Sequence, residues 1–101
     1  MKTTEEMKKV FENAAGVTLI TMNADGTPHP IIAGKGEVTE DAITFGIYKM
    51  EVTQKNLKAN PKAYVVAASM QDGPKGYRFT GKAEAQGKQL IFTPVKAEEL
   101  I

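Results

Sequence analysis

A tight turn between two β-rich runs is the feature that most restricts the fold of this chain. Residues 17–22 read VTLITM, and the next five residues, NADGT, lead into a second run that begins at Pro28. Asp25 and Gly26 suit a tight reversal, because an aspartate side chain can bond the nearby backbone and glycine accepts a positive φ. β-Branched residues pack well on a pleated surface. The sequence therefore predicts a β-hairpin, with its second strand running from residue 28 towards residue 36.

Two prolines mark the second strand of this hairpin. Pro28 and Pro30 lack the amide hydrogen that a strand donates to its neighbour. We therefore expect this strand to start at the edge of a sheet or to be irregular there. His29, the single histidine of the chain, lies between the prolines, and we interpret it as a surface or packing residue.

Apolar periodicity predicts four more strands. They cover residues 42–48, 63–70, 77–86 and 89–95. The run at 63–70 is almost continuously apolar, so we expect a strand that is covered on both faces. The polar residues 37–41 are predicted as a turn, and no element is assigned to residues 96–101.

Two helices complete the prediction. Thr3 and Glu6 have the spacing of a capping box, and a stripe of apolar residues at helical spacing follows them. The second helix covers residues 52–59 and ends at Asn60-Pro61, because the residue before a proline is pushed out of the α region. The expected fold is mainly β: a six-stranded antiparallel split β-barrel, in one domain over residues 1–101, with an N-terminal helix and one short inserted helix.

Composition excludes several classes of site. The chain has no cysteine and one histidine, which excludes disulfides, thiolate zinc sites and a multi-histidine metal centre within one chain, so we expect no metal. Its formal charge of +1 does not indicate a nucleic acid or a membrane as the obligate partner. No apolar run approaches the roughly 20 residues of a membrane span, so we expect a cytoplasmic protein.

The segment from Leu19 to Pro61 resembles a known family. It combines a strand, an N-x-D-G-x-P-H turn, two strands and a helix with the pattern T-x-x-N-L-x-x-N-P. This order is similar to the flavin-binding split barrels related to pyridoxamine phosphate oxidase, particularly the very short FMN-binding proteins. The agreement extends over roughly residues 7–86 and includes the strand at 76–84.

The resemblance implies a homodimer that binds FMN at the interface between its subunits. Two segments would contact the cofactor. The first segment would lie along the isoalloxazine ring and consists of Ile32, Ala33, Gly34 and Lys35. The residues of the second segment, near the ribityl phosphate, would be Tyr48, Met50, Val52 and Thr53. Lys35 is our candidate for a cation that stabilises the anionic reduced flavin.

One position departs from the family pattern. Relatives place a basic residue where this chain has Val52. The phosphate charge must therefore be neutralised by Lys49, Lys55, Lys35 or a residue of the other subunit. Thr53, near a helix start, offers a hydroxyl and free backbone donors to the phosphate.

The residues themselves leave other interpretations open. The segment from Gly34 to Gly36 can be a bulge at a barrel corner, Thr53 can be an ordinary helix residue, and Tyr48 and Met50 can be packing residues. The predicted function is a small flavoprotein for oxidoreduction or electron transfer, with enzymatic activity left open. The alternatives are a cofactor-free barrel that acts as a binding or dimerisation module, and a related barrel that binds haem or a deazaflavin.

Overall fold

The computed structural model describes residues 1–71 and 73–100 of the chain. Its elements, in chain order, are α1 (Glu5–Asn13), β1 (Val17–Met22), β2 (Pro28–Ala33), β3 (Glu37–Val38), β4 (Ile43–Gly46), α2 (Glu51–Ala59), β5 (Lys62–Ser69), β6 (Lys75–Gln86) and β7 (Gln89–Glu99). The mainly β prediction with two helices is confirmed, with seven strands in place of six. Among the described residues, no helix is both long enough and apolar enough to cross a membrane.

The seven strands form one antiparallel sheet in the order β2-β1-β5-β6-β7-β4-β3. Only residues 34–36 separate β2 from β3, although these strands are the two edges of the sheet. The edges must therefore approach each other at that point, and the sheet curls into a half-open barrel. Gly36, with φ of 78°, lies where an added Cβ would be 2.8 Å from the Phe45 ring, so this corner has room only for glycine.

The β1–β2 hairpin forms as predicted. Its register runs from Val17 opposite Ala33 to Met22 opposite Pro28. In the turn, the Asp25 carboxylate accepts a hydrogen bond from the Thr27 amide at 3.0 Å, and Gly26 has a φ of 86°. β2 is an edge strand and pairs with β1 alone. Its two prolines therefore do not interrupt hydrogen bonding to a second strand.

The start of α1 differs from the sequence prediction by one residue. Thr4, rather than Thr3, caps the helix, and its hydroxyl accepts a hydrogen bond from the Met7 amide at 3.2 Å. The Thr3 hydroxyl instead donates to the carbonyl of Thr39. The capping-box prediction is therefore wrong in position, because a contact with a distant segment takes the Thr3 hydroxyl away from the helix.

The core lies between α1 and the concave face of the sheet. Val10 and Phe11 are the buried residues of α1, and the Phe11 ring lies 5.7 Å from the Phe79 ring of β6. Along β5, burial alternates: the side that includes Val65 is buried, whereas Tyr64 and Val66 are only partly buried. The prediction that β5 is covered on both faces is wrong for the single chain, because both α1 and the core lie on one side of it.

Three strand boundaries also differ from the prediction. Residues 37–38, predicted as part of a turn, form the short strand β3 opposite Ile43 and Thr44. β4 is shorter than expected and ends at Gly46. β7 continues to Glu99, through a register shift opposite Thr80 and Gly81, because it pairs with the long strand β6 along almost its whole length.

Candidate functional site

The first predicted cofactor segment lies at the end of β2. Ile32 is 74% exposed, whereas Ala33 is buried. Gly34 and Lys35 follow in the link to β3, and an added Cβ at Gly34 would meet no atom within 4 Å. The backbone at Gly34 is therefore open to a flat ligand.

Lys35 has a partner that the sequence did not indicate. Its ammonium donates a hydrogen bond to the carbonyl of Glu12 at 2.8 Å, near the C-terminal end of α1. The last turn of α1 contains no basic residue of its own. Lys35 therefore supplies a cation to the negative end of this helix, and its contact with a flavin stays a prediction.

The second predicted segment lies between β4 and the first turn of α2. Tyr48 is 78% exposed, and the Lys49 ammonium lies 5.6 Å from the centre of its ring. Lys49 and Met50 both adopt left-handed backbone conformations, with φ of 62° and 59°. For residues other than glycine this costs about 1–2 kcal/mol each, so the backbone is strained where the phosphate contact was predicted.

The first turn of α2 carries unpaired polar groups. No side chain caps the helix, and its first intrahelical bond runs from the Gln54 amide to the Met50 carbonyl. Helix geometry leaves the amides of residues 51–53 without intrahelical partners. The Thr53 hydroxyl is buried and, in the described part of the chain, has no hydrogen-bond partner. These amides point along the helix axis with its positive end, so an anion is favoured there.

The two predicted segments flank the paired strands β3 and β4. Gly36, just after the first segment, lies where an added Cβ would be 2.8 Å from the Phe45 ring of β4, which precedes the second segment. Glu37 and Thr44 are paired in the β3–β4 ladder, which holds these two stretches side by side. Lys55, predicted from sequence as a candidate phosphate partner, lines a groove beside the β1–β2 turn, and its contact with a phosphate stays a prediction.

Asn56 has a structural role that the sequence analysis did not assign. Its buried amide donates hydrogen bonds to the Thr21 hydroxyl at 3.1 Å and to the Asn23 side-chain oxygen at 3.0 Å. It therefore fixes α2 to the hairpin. Its spacing from Thr53 and Leu57, the other buried residues of α2, was the available signal that it faces the barrel.

Comparison with protein families decides where this arrangement belongs. Residues 3–98 match the family model described as pyridoxamine 5′-phosphate oxidase. The chain belongs to the pyridoxamine 5′-phosphate oxidase family. The recognition made from the hairpin and helix motifs is thereby confirmed, and the match spans every helix and nearly every strand.

Several solved structures have a fold similar to that of this member of the pyridoxamine 5′-phosphate oxidase family. The HupZ protein of Group A Streptococcus has 19% identity, a TM-score of 0.82, and coverage of 97% of this chain and 94% of its own. An FMN-binding protein from Syntrophomonas wolfei has 17% identity, a TM-score of 0.76, and coverage of 93% and 83%. An F420 reductase has 15% identity, a TM-score of 0.76, and coverage of 95% and 98%. A comparison with curated proteins finds no significant match.

Proposed function

We propose that this chain is a small FMN-binding flavoprotein that serves oxidoreduction or electron transfer. The observation that carries the proposal is the buried Thr53 hydroxyl, which has no partner among residues 1–71 and 73–100, in the first turn of a helix that no described side chain caps. An unsatisfied buried polar group costs about 1–3 kcal/mol. The hydroxyl has no hydrogen bond to give up when its side chain turns towards a phosphate beside the first-turn amides.

The residues around this helix start fit a phosphate-bearing cofactor. Lys49 is adjacent, and its left-handed backbone, with that of Met50, presents strain of the kind that collects at ligand sites. Val52 contributes no charge, so the basic residues nearest in sequence to the first turn of α2 are Lys49 before it and Lys55 after it. FMN, when bound, supplies electron transfer through its ring. The open backbone at Gly34 leaves space for the flat ring beside the end of β2.

The proposed cofactor site lies at the interface between two copies of the chain. Ile32, Tyr48 and Val52 are 74%, 78% and 47% exposed, and all three belong to the predicted cofactor segments. Exposed large apolar side chains around one site favour coverage by another protein surface. A homodimer would bury these side chains together with the ring of the cofactor. The cytoplasmic location stays a prediction.

The names of the structural neighbours leave a second candidate for the cofactor. One neighbour is an FMN-binding protein and another is an F420 reductase. A deazaflavin also carries a phosphate next to its ribityl chain, so the same helix start would accept it. Titration of the parent protein with FMN and, separately, with F420 distinguishes the two candidates. Haem offers no phosphate to these amides, and the present site gives it no support.

Thr53→Val tests the proposal, because the two side chains have nearly the same shape. In the cofactor-free protein the substitution should raise the free energy of unfolding by about 1 kcal/mol, since it removes an unpaired buried hydroxyl. It should also weaken FMN binding about tenfold, which corresponds to the loss of one charge-assisted hydrogen bond. Fluorescence quenching of FMN during titration measures the affinity, and urea unfolding measures the stability.

Thr21→Val is the matched control. Thr21 is equally buried, but its hydroxyl accepts a hydrogen bond from Asn56. This substitution should lower stability by about 1 kcal/mol and leave FMN affinity unchanged. A parent protein that takes up neither FMN nor F420 would support the cofactor-free binding module instead. Sedimentation of the parent protein and of Ile32→Glu tests the dimer separately. The parent should be a dimer and Ile32→Glu a monomer, and a monomeric parent would contradict an interface site.

A further inference from the structure

Two grooves meet on the outside of the barrel near the β1–β2 turn. The first, of about 580 Å³, lies between this turn, the second half of α2 and the start of β5. The second, of about 450 Å³, lies on the outer face of β1, β5, β6 and β7. Both are lined by Met22, Lys62 and Tyr64, so they form one continuous depression with Lys62 at its centre.

Lys62 occupies an unfavourable position in the sheet, because its cross-strand neighbour is also a lysine. It lies directly opposite Lys82 in the β5–β6 ladder, and both side chains are exposed on the same outer face. Like charges in directly opposite positions destabilise a sheet. The Lys62 ammonium lies 5.5 Å from the centre of the Tyr64 ring and, within residues 1–71 and 73–100, has no carboxylate within ion-pair distance.

Further basic groups surround this pair. Lys55 lines the first groove, and Lys96 and Arg78 line the second. Glu98, which also lines the second groove, forms an ion pair with Arg78 at 3.0 Å. Glu84, two residues after Lys82, lines neither groove and accepts a hydrogen bond from the Gln86 side-chain amide at 2.8 Å. Lys55, Lys62 and Lys96 line the depression, and Lys82 lies beside it, opposite Lys62. These four lysines form a local basic cluster in a chain whose net charge is only +1.

We propose that this depression binds a small molecule that carries two or more linked phosphates. The four lysines come from four different elements, α2, β5, β6 and β7, so linked anionic groups suit them better than a single one. Lysine ammonium groups are compact point charges that suit phosphate oxygens. Ile20, Met22 and Pro28 form an apolar wall in the second groove, and Thr80 adds a hydroxyl, so the rest of an amphipathic ligand has a surface to contact.

This site is separate from the proposed cofactor site and does not depend on it. The cofactor phosphate is placed at the first turn of α2, whereas the groove takes Lys55, Ala59 and Asn60 from its later turns. A helix of nine residues is about 13 Å long, so the two anion positions lie at different ends of α2. FMN titration and phosphate titration therefore report on different groups.

The experiment uses inorganic pyrophosphate as the probe, titrated into the whole chain at low salt and followed by calorimetry and by amide chemical shifts. Pyrophosphate should bind, with the largest shifts at residues 62, 80 and 82, and sulfate at equal ionic strength should bind much more weakly. Lys62→Met should weaken pyrophosphate binding about tenfold while FMN affinity stays unchanged.

Lys58→Met is the matched control. Lys58 lies in the last turn of α2 and lines neither groove, so its replacement removes the same charge nearby. Pyrophosphate affinity should be unaffected by it. If Lys58→Met weakens binding as much as Lys62→Met does, the attraction is general rather than local, and the proposal is overturned. Absence of pyrophosphate binding to the parent protein overturns it equally.

Lys82→Glu separates a loss of pyrophosphate binding from a loss of folding. This change places a carboxylate opposite Lys62, so the midpoint of thermal unfolding should rise by a few degrees. Pyrophosphate binding should nevertheless fall more than tenfold, because one cation is lost and an anion is added. A variant that is more stable and still binds as the parent does would contradict the proposed site.

Discussion

The two helices of this protein begin in opposite ways. At α1, the Thr4 hydroxyl accepts a hydrogen bond from the Met7 amide, and Glu5 and Glu6 supply negative charge to the first turn. At α2, no side chain caps the helix, and the two preceding residues are left-handed. The first helix therefore has a side-chain cap from its own chain, whereas the second has none among the described residues.

The helices also attach to the barrel by different chemistry. The buried residues of α1 are apolar, and Phe11 packs against Phe79. Of the three buried residues of α2, only Leu57 is apolar, and Asn56 holds the helix by hydrogen bonds to the hairpin. α1 therefore stabilises the core by apolar packing, whereas α2 is held mainly by polar contacts with the hairpin.

Phe11→Ala should have the largest effect on this comparison. The ring is almost fully buried, and its loss should lower the free energy of unfolding by about 3–5 kcal/mol, because a cavity forms between α1 and β6. Urea unfolding measures the change. Met70→Ala, at a side chain that is 74% exposed, should change stability by less than about 0.5 kcal/mol. If Phe11→Ala unfolds as the parent does, α1 is not part of the core.

The pH dependence of stability should depend on the contact between α1 and β6. Burial, with the hydrogen bond to Glu6, raises the pKa of Tyr77 from 10.0 to about 12. A pKa that is raised in the folded state gives stability that is complete below the unfolded pKa and is lost above it. We therefore expect stability to fall between about pH 10 and 12. Two pKa units correspond to about 2.7 kcal/mol at most.

Tyr77→Phe separates this effect from the titration of lysines. The variant should be less stable than the parent below pH 10 by about 1 kcal/mol, since it lacks the 2.9 Å hydrogen bond to Glu6. The difference should vanish near about pH 11 and reverse its sign by pH 12, because ionisation of Tyr77 in the unfolded state lowers the stability of the parent by up to about 2.7 kcal/mol. Guanidinium unfolding at several pH values would reveal this reversal. A difference that stays constant over this range would show that Tyr77 ionisation does not oppose folding. At the acid end, Lys75 and Tyr77 lower the pKa of Glu6, so its contribution is lost as pH falls.

The starts of the two helices should respond to substitution with opposite signs. Loss of the capping hydroxyl in Thr4→Ala should lower the free energy of unfolding by about 1 kcal/mol. Lys49→Gly, at the corresponding end of α2, should instead raise it by about 1 kcal/mol, because glycine adopts a φ of 62° without strain. Thermal unfolding of both variants checks the contrast in sign. Two changes of the same sign would mean that the helix starts do not differ as described.

Much of the barrel could be predicted from short stretches of sequence. The β1–β2 turn follows from Asp25 and Gly26, and the end of α2 follows from Asn60 and Pro61, because each depends on φ preferences and local hydrogen bonds. The short strand β3 and the last residues of β7 were missed, since their strand conformation depends on ladders with residues distant in sequence.

The candidate site shows the same division. Sequence predicted two cofactor segments, and the fold places residues that flank them, Gly36 and Phe45, side by side. Contact of either segment with a cofactor stays a prediction. Sequence could not show that Lys35 would bond the Glu12 carbonyl, because that contact joins residues 23 positions apart. Nor could it show that the Thr53 hydroxyl would be buried without a partner, because burial depends on how α2 packs on the barrel.

By itself, then, the sequence determined a mainly β chain of the pyridoxamine 5′-phosphate oxidase family, with its hairpin and helices in order. These properties arise from the preferences of neighbouring residues. Only the tertiary structure decided which helix start is capped, which lysines have partners, and where Lys62 and Lys82 meet. Those outcomes depend on distances between residues far apart in the chain, which strand register and helix packing set.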